Sequence, residues 1–247
     1  MFVAKTDIGK KREKNEDYYM VEDLDSTASV YILADGMGGY ESGEVASKSC
    51  CLAIMDKIEN LYYNLPALDE AQIINIIKSA VKEANELIFS LEKTDEKYKG
   101  MGTTLALIFK YDEDVYYTSI GDSRIYVLDD KFTKLIRITE DDTYVNELLK
   151  KKAINAAEAK NHPQKNVLTK AVGIFEEINV DVKKLDTENV KYIFATSDGV
   201  TNMLRRAEML DILKKNEFNN WAEKIIEKAN EKGGSDNITF IAIDIKE

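Results

Sequence analysis

The chain of 247 residues carries a formal net charge of -11 at neutral pH, and 44% of its residues are hydrophobic. This apolar content is enough for a sizeable core, and the acidity argues against a nucleic acid or an anionic membrane as partner. No apolar run approaches the ~20 residues of a membrane span, and the N-terminus lacks the long apolar region of a signal peptide, so we expect a cytoplasmic protein without a membrane partner.

The chain has two cysteines, Cys50 and Cys51, and neither belongs to a C-x-x-C pair or a histidine cluster. We interpret them as small core residues of a helix in a reducing compartment. Because the chain shows no Gly/Ser-rich linker, internal repeat or low-complexity run, we predict a single domain over residues 1–247.

Apolar periodicity and turn residues divide the chain into strands and helices. In chain order we predict strands over 2–6, 18–21 and 30–34, helices over 42–60 and 69–91, strands over 103–109, 115–120, 124–128 and 132–138, a helix over 144–152, a partly helical segment over 155–170, a strand that ends at 198, helices over 203–215 and 218–232, and a strand over 238–245. The short connections 110–114 and 121–123 favour three consecutive antiparallel neighbours in one sheet. The overall pattern predicts an α+β fold, an antiparallel β-sandwich covered by helices.

An aspartate stands at one end of each of three apolar strands. Asp35 ends the strand 30–34 and is followed by glycines, Asp198 ends a second strand, and Asp236 comes just before a third. If these strand ends meet at one edge of the core, the clustered carboxylates suit a hard cation such as Mg²⁺ or Mn²⁺. Aspartate before glycine is also common in plain turns, so Asp35 alone is open between a turn cap and a cation ligand. Arg12 is likewise open between a solvated charge and a phosphate clamp.

Six short motifs include or accompany these residues. They are Arg12-x-x-Asn15-Glu16-Asp17, Ala34-Asp35-Gly36-Met37-Gly38-Gly39, Gly100-Met101-Gly102-Thr103-Thr104, Gly121-Asp122-Ser123-Arg124-Ile125-Tyr126, Thr196-Ser197-Asp198-Gly199 and Gly234-Ser235-Asp236-Asn237-Ile238-Thr239. In this order they resemble the metal-dependent type 2C serine/threonine protein phosphatases, and most closely the compact bacterial branch. Each motif is modest alone, but six in order over nearly the whole chain are specific.

The resemblance implies two antiparallel sheets sandwiched between helix pairs, with a two-metal site at one end of the sandwich. Asp35 would bridge both metal ions, the Gly36 carbonyl would bind one of them, and Asp198 and Asp236 would bind the other. Asp122 matches the position that, in bacterial members, holds a weaker third ion together with Asp198. The implied cofactors are therefore two Mn²⁺ or Mg²⁺ ions per chain and a weaker third.

Two further residues complete the implied site. Asp17 would orient the attacking water, and Arg12 would hold the substrate phosphate. The implied activity is the hydrolysis of phosphoserine and phosphothreonine in proteins by water that two metal ions activate, without a phosphoenzyme. The implied partners are phosphoproteins and an opposing bacterial serine/threonine kinase, and we expect a monomer.

The chain departs from the family's pattern in two places. Asp141-Asp142-Thr143 stands where the family usually has Asp-His-Ser or Asp-His-Thr, which changes the electrostatics near the third metal. Met37 stands where many eukaryotic relatives carry a histidine, and the single histidine, His162, precedes Pro163 in a polar segment where we expect it to fix a loop. Residues 143–173 correspond to the family's flap, a candidate for substrate choice.

Two other kinds of function stay open. One is a catalytically weak relative that binds phosphoproteins as a regulator; loss of the ligand aspartates would indicate it, and here none is lost. The other is a metal-binding module whose acidic residues serve stability only, which would melt on chelation without showing any hydrolysis.

Overall fold

A computed structural model describes residues 1–39, 42–65 and 68–246, and within them eleven strands form two antiparallel sheets. The strands are β1 (Phe2–Asp7), β2 (Asp17–Asp23), β3 (Ala28–Met37), β4 (Gly102–Thr103), β5 (Leu105–Tyr111), β6 (Asp114–Ile120), β7 (Arg124–Leu128), β8 (Ile136–Arg137), β9 (Lys183–Lys184), β10 (Tyr192–Thr196) and β11 (Ile238–Asp244). The first sheet has the order β1-β11-β10-β7-β8. The second has the order β2-β3-β5-β6-β9, and β4 pairs with the end of β3.

Seven α-helices accompany the sheets in the same described residues. They are α1 (Ser42–Tyr63), α2 (Glu70–Glu92), α3 (Tyr144–Lys150), α4 (Ala156–Lys160), α5 (Asp198–Met203), α6 (Arg206–Lys215) and α7 (Trp221–Glu231). A capping box starts α2, since the Asp69 carboxylate accepts from the Gln72 amide at 2.8 Å and the Gln72 side chain accepts from the Asp69 amide at 2.9 Å. As predicted, Cys50 and Cys51 are buried, and they lie on α1. None of the helices described combines the length and apolarity needed to cross a lipid bilayer.

Three groups of buried apolar side chains show how these elements stack in layers. One group joins α1 and α2 to the outer face of the second sheet and includes Ile54 and Phe109. Another joins α5, α6 and α7 to the outer face of the first sheet and includes Trp221. The third lies between the two sheets and includes Leu33 and Ile241. The predicted α+β sandwich is therefore confirmed, with helices on both sides.

The alternation of side chains along the strands brings polar groups to one end of the inter-sheet layer. On β3, the inward face that includes Leu33 continues to Asp35, and on β11 the inward face that includes Ile241 begins at Thr239. Asp17 of β2 lies opposite Asp35 in the ladder of the second sheet. Carboxylates and hydroxyls from both sheets therefore meet at this end of the sandwich.

The prediction that β6 and β7 are neighbours in one sheet is wrong. β6 pairs with β5 and β9 in the second sheet, whereas β7 pairs with β10 and β8 in the first. Gly121, between them, has a φ of 89°, and a Cβ at this position would come within 2.8 Å of the Thr104 side chain. With this left-handed backbone the chain crosses from one sheet to the other, where a hairpin would have turned back.

Two other predicted elements differ in extent. The strand predicted over 132–138 reduces to β8, because the Asp129 carboxylate accepts hydrogen bonds from the Thr133 amide and hydroxyl at 2.8 and 2.6 Å and turns the chain there. The helix predicted over 203–215 is the end of α5 and all of α6, which are separated by the extended backbone of Leu204.

Candidate active site

Asp35 is held in place through its own backbone. Its amide donates to the Thr104 hydroxyl at 3.0 Å, and its carbonyl accepts from the Thr104 amide and the Thr103 hydroxyl, both at 2.9 Å. Burial raises the pKa of the Asp35 carboxyl well above its ordinary value, and the neighbouring charges of Asp17 and Asp198 raise it further. The sequence predicted that Asp35 ends its strand; β3 in fact continues past it, and the carboxyl still lies at the end of the inter-sheet layer.

Gly36 lies where the strand meets the start of α1. Its amide donates to the Glu16 carbonyl at 3.0 Å, and a Cβ at this position would come within 2.0 Å of the Gly43 carbonyl oxygen. Only glycine fits such a close approach of two backbones. The first turn of α1 therefore packs directly against the chain that carries Asp35.

Asp198 and Asp122 form the second acidic part of the site. Asp198 is the first residue of α5, and its carboxylate accepts a hydrogen bond from the Asn202 amide group at 2.9 Å. Burial raises the pKa of Asp198 to about 7, with further contributions from the charges of Asp122 and Asp236. Burial, with the charge of Asp141 next, raises the pKa of Asp122 to about 6. Each carboxylate therefore disfavours ionisation of its neighbours.

Arg12 binds Asp236 in a two-pronged ion pair. The Arg12 Nε lies 2.9 Å from Asp236 Oδ1, and Arg12 Nη2 donates to Asp236 Oδ2 at 2.9 Å. The hydrogen bond to Asp236 is the main cause of the raised pKa of Arg12. The predicted phosphate clamp is therefore engaged with a predicted metal ligand.

Asp17 lies behind these groups and links the two sheets. Its Oδ2 accepts hydrogen bonds from the Ser197 and Thr239 hydroxyls, both at 2.7 Å. Burial raises the pKa of Asp17 to about 7, although the two hydroxyls act in the opposite direction. Within the described residues, Asp17 Oδ1 is buried and has no hydrogen-bond partner.

The predicted site residues converge on one cavity of about 440 Å³. The residues that line it include six of the predicted site residues: Arg12, Asp35, Gly36, Asp122, Asp198 and Asp236. Segment 166–175 contributes the other side, including Lys170, and thus brings part of the predicted flap against the acidic groups. Asp17 is the one predicted site residue that lies beneath the cavity wall.

The donor set suits a hard divalent cation. All candidate ligands are oxygens, and burial with mutual repulsion raises the pKa values of Asp35, Asp198 and Asp122, which a positive charge would offset. In segments 1–39, 42–65 and 68–246, no three His, Cys, Asp or Glu side chains lie close enough as they stand to hold one ion. The carboxylates share the cavity without forming a closed cage, and their like charges repel one another.

Several residues that support the site had no predicted role. Thr103 and Thr104, which hold Asp35, stand in a motif whose function the sequence did not indicate. Ser197 and Thr239 stand in the motifs of Asp198 and Asp236, but the sequence assigned no role to their hydroxyls. Asp142, which replaces the usual histidine, exchanges hydrogen bonds with the turn before Asp122: its carboxylate accepts from the Gly121 amide at 3.0 Å and its amide donates to the Gly121 carbonyl at 2.8 Å. A side chain that accepts at this position keeps the turn in place.

His162 fixes a local loop, as predicted. Its Nδ1 accepts a hydrogen bond from the Gln164 amide at 3.1 Å, and its ring lies 5.9 Å from that of Tyr144. His162 does not line the cavity that contains Asp35.

The sequence matches the family described as Protein phosphatase 2C over residues 9–239. The chain belongs to this family. It is 34% identical to the serine/threonine phosphatase stp of Listeria welshimeri over 241 residues, which cover 97% of this chain and 94% of that protein. The fold matches the crystal structure of Stp1 from Staphylococcus aureus with a TM-score of 0.88 at 29% identity, covering 98% of this chain and 94% of that one.

A further structural relative is the catalytic domain of the serine/threonine protein phosphatase PstP in complex with two manganese ions. It matches with a TM-score of 0.81 at 28% identity, covering 99% of this chain and 97% of that one. The resemblance that the six motifs indicated is thus confirmed, and this chain is a serine/threonine protein phosphatase of the bacterial 2C type.

Proposed function

We propose that this 2C phosphatase hydrolyses phosphoserine and phosphothreonine in proteins with two Mn²⁺ or Mg²⁺ ions bound at the Asp35 cavity. Asp35 would hold both ions, the Gly36 carbonyl would bind one of them, and Asp198 and Asp236 would bind the other. Asp122, with Asp198, would hold a weaker third ion. The observation that carries this proposal is that the Asp35, Asp198 and Asp236 carboxylates line one cavity, where burial and their mutual charges raise the pKa values of Asp35 and Asp198. The two manganese ions of PstP support the number of ions.

The remaining chemistry belongs to side chains of this chain. When bound, the ions would neutralise the phosphate dianion and lower the pKa of a water, which provides hydroxide near neutral pH. Arg12 lines the cavity, and its planar fork, once released from Asp236, would match two phosphate oxygens. Asp17 would orient the attacking water, a role supported by its buried Oδ1 without a partner and by its position opposite Asp35 in the ladder.

The finer assignments of substrate and setting follow from the same proposal. We expect the physiological substrates to be phosphoproteins of a bacterial serine/threonine kinase, with the flap at 143–173 acting in their selection because part of it lines the cavity. The buried, unpaired Cys50 and Cys51 suit a reducing cytoplasm. We further propose that residues 1–247 act as one monomeric phosphatase domain.

The deciding experiment measures phosphate release from a phosphothreonine peptide as a function of metal. We expect hydrolysis with Mn²⁺ or Mg²⁺ and none after treatment with EDTA. Asp35→Asn should lose essentially all activity, because one carboxylate serves both ions. Asp130→Asn, which alters an exposed aspartate, is the matched control and should retain wild-type activity.

Two outcomes would contradict the proposal. Full activity in EDTA after extensive dialysis would exclude the two-metal mechanism. Tight binding of the phosphopeptide by the metal-loaded protein, without any hydrolysis, would instead identify a phosphoprotein-binding regulator with this fold.

A further inference from the structure

The Asp17 carboxylate is held from the first sheet, although Asp17 itself belongs to the second. Asp17 lies on β2, whereas Ser197 follows β10 and Thr239 lies on β11. Both hydroxyls donate to the same oxygen, Oδ2, at 2.7 Å, and all three residues are at least 95% buried, with exposed fractions of 5%, 0% and 0%. The Thr239 amide in turn donates to the Ser197 oxygen at 2.9 Å, which fixes the two hydroxyls relative to each other.

The direction of each hydrogen bond around Thr239 follows from what the groups are able to donate. A carboxylate only accepts, so the single hydroxyl hydrogen of Thr239 is used on Asp17. The Thr6 hydroxyl, 2.7 Å from the Thr239 hydroxyl, must therefore donate to it. Thr6 in turn accepts from the Asn15 side-chain amide at 2.9 Å, and the Asn15 side-chain oxygen accepts from the Asp17 amide at 3.2 Å. The bonds form a closed, one-directional chain that begins and ends at Asp17.

As a result of these hydrogen bonds, the two carboxylate oxygens of Asp17 have different surroundings. Oδ2 is saturated by two short hydrogen bonds, while Oδ1 is buried and has no partner within the described residues. Asp35, which lines the cavity, lies directly opposite Asp17 in the ladder. A buried acceptor without a partner is costly, so a ligand of the assembled site is expected to satisfy it.

We propose that Ser197, Thr239 and Thr6 are positioning residues, which hold the Asp17 carboxylate in one orientation and reserve its Oδ1 for the attacking water at Asp35. This inference rests on the proposed phosphatase mechanism and assigns a role to hydroxyls that touch neither the substrate nor a metal. Asp35, in the cavity wall, belongs to the second sheet. The hydroxyls of Ser197, Thr239 and Thr6 fix the position of the Asp17 carboxylate relative to the first sheet.

Strand β10, the neighbour of β11, provides a matched control. Thr196 precedes Ser197, is fully buried, and its hydroxyl has no hydrogen-bond partner among the described residues. Thr196→Val and Thr239→Val therefore make the same chemical change at two buried threonines, of which only Thr239 holds Asp17. Thr239→Ser restores the hydroxyl without the methyl group.

The test compares these variants by steady-state kinetics, Mn²⁺ calorimetry and crystallography. We expect Thr239→Val to lower kcat by about 10- to 100-fold with little change in KM or in Mn²⁺ affinity, since the proposed ligands are untouched. Thr239→Ser should recover most of kcat, and Thr196→Val should match the wild type. A crystal structure of Thr239→Val should show the Asp17 carboxylate rotated from its wild-type orientation.

If Thr239→Val fails to fold, Thr6→Val tests the same series of hydrogen bonds one bond further from Asp17. We expect it to lower kcat by a smaller factor and Thr6→Ser to restore kcat. Equal kcat values for Thr239→Val, Thr196→Val and the wild type would overturn the inference while leaving the phosphatase mechanism intact. An equal loss in Thr239→Val and Thr239→Ser would also overturn it, since the hydroxyl would then not be the cause. An inactive wild type would overturn the proposed function itself.

Discussion

Arg12 has one guanidinium fork and two prospective partners. The fork is bound to both oxygens of Asp236, which the proposed mechanism assigns to a metal ion, and the same fork is the proposed phosphate clamp. Because the fork cannot serve both at once, we expect an ion that binds Asp236 to release Arg12 for phosphate. We therefore expect metal to bind before the substrate at this corner.

Replacing Arg12 by alanine separates these two roles. We expect Arg12→Ala to tighten Mn²⁺ binding by up to about fivefold, the effect of removing a half-exposed competing ion pair. KM for a phosphopeptide should rise by about 10- to 100-fold, because a bidentate charged contact is lost. Arg12→Lys, which retains the charge but not the fork, should recover part of the change in KM. Weaker Mn²⁺ binding by Arg12→Ala, measured by calorimetry, would show that Arg12 organises Asp236 and does not compete for it.

Replacing His162 should have little effect on kcat. Its Nδ1 is engaged with the Gln164 amide and the ring lies off the cavity, so the chain has no histidine placed to protonate the leaving group. We expect His162→Ala to keep kcat within about tenfold of the wild type, compared with the 10²–10⁴ lost with a general acid. The pH–rate profile should keep its shape. A thousandfold loss of kcat with the fold and metal binding intact would place His162 in the catalytic step.

At the scale of elements, one buried side chain on α2 holds the end of the segment that lines the cavity. Asn85 is 1% exposed, and its amide group donates to the carbonyls of Phe175 and Glu176 at 2.9 and 3.2 Å. Its oxygen accepts from the Gly173 amide at 2.8 Å. The helix layer therefore supports the wall of the cavity that faces the carboxylates.

We expect Asn85→Ala to destabilise the protein by about 1–3 kcal/mol, because buried backbone groups lose their partners. KM for phosphopeptides should rise as segment 173–176 loosens, whereas Mn²⁺ affinity should stay unchanged. Asn64→Ala, which removes a local hydrogen bond of an exposed asparagine at the end of α1, is the control. Thermal melts and steady-state kinetics measure both effects. A lower melting temperature with an unchanged KM would restrict Asn85 to a role in stability.

The secondary-structure elements could be predicted from the sequence more accurately than the strand pairings and side-chain contacts that join them. Local signals sufficed for α2, whose capping box lies within four residues, and for Asp35, which stands in a strand–glycine motif. The strand partners of β7 were mispredicted because a short connection does not reveal the left-handed backbone at Gly121. The pair of Arg12 with Asp236 and that of Thr6 with Thr239 join opposite ends of the chain, a separation at which periodicity carries no information.

At the scale of the whole molecule, the acidic site makes the free energy of unfolding depend on pH. The pKa values of Asp17 and Asp198 are raised to about 7 and that of Asp122 to about 6, from an ordinary 3.8. When the pKa of a carboxyl is higher in the folded state, its contribution to stability is fully present at a pH below the pKa of the unfolded state. This contribution is lost as the pH rises through the pKa of the folded state. These three groups therefore destabilise the metal-free fold progressively between about pH 4 and pH 7.

We expect the free energy of unfolding of the chelated protein to fall from pH 5 to pH 8, by on the order of 1 kcal/mol per pH unit for each proton involved. Mn²⁺ should restore stability at pH 8, because it binds the ionised carboxylates of the folded state. Urea denaturation with and without metal measures both. Asp25 does not enter this window, since hydrogen bonds, chiefly from Tyr62, lower its pKa to about 2.

Asp198→Asn gives the control, because removing one buried carboxyl should flatten the slope of stability against pH in the chelated protein. A free energy of unfolding that rises from pH 5 to pH 8 without metal would contradict the assignment of these groups.

The pairing of β1 with β11 has a consequence for protein synthesis. The ladder joins residues 2–7 to 238–243, so β1 waits for β11 before it can join the first sheet. Asp236 and Thr239 also emerge from the ribosome with this late segment, more than 200 residues after their partners Arg12 and Thr6. A nascent chain that has not yet extruded β11 therefore lacks a proposed metal ligand and the support of Asp17. We expect such a chain to leave phosphoproteins near the ribosome untouched, so that dephosphorylation begins only after β11 has left the ribosome.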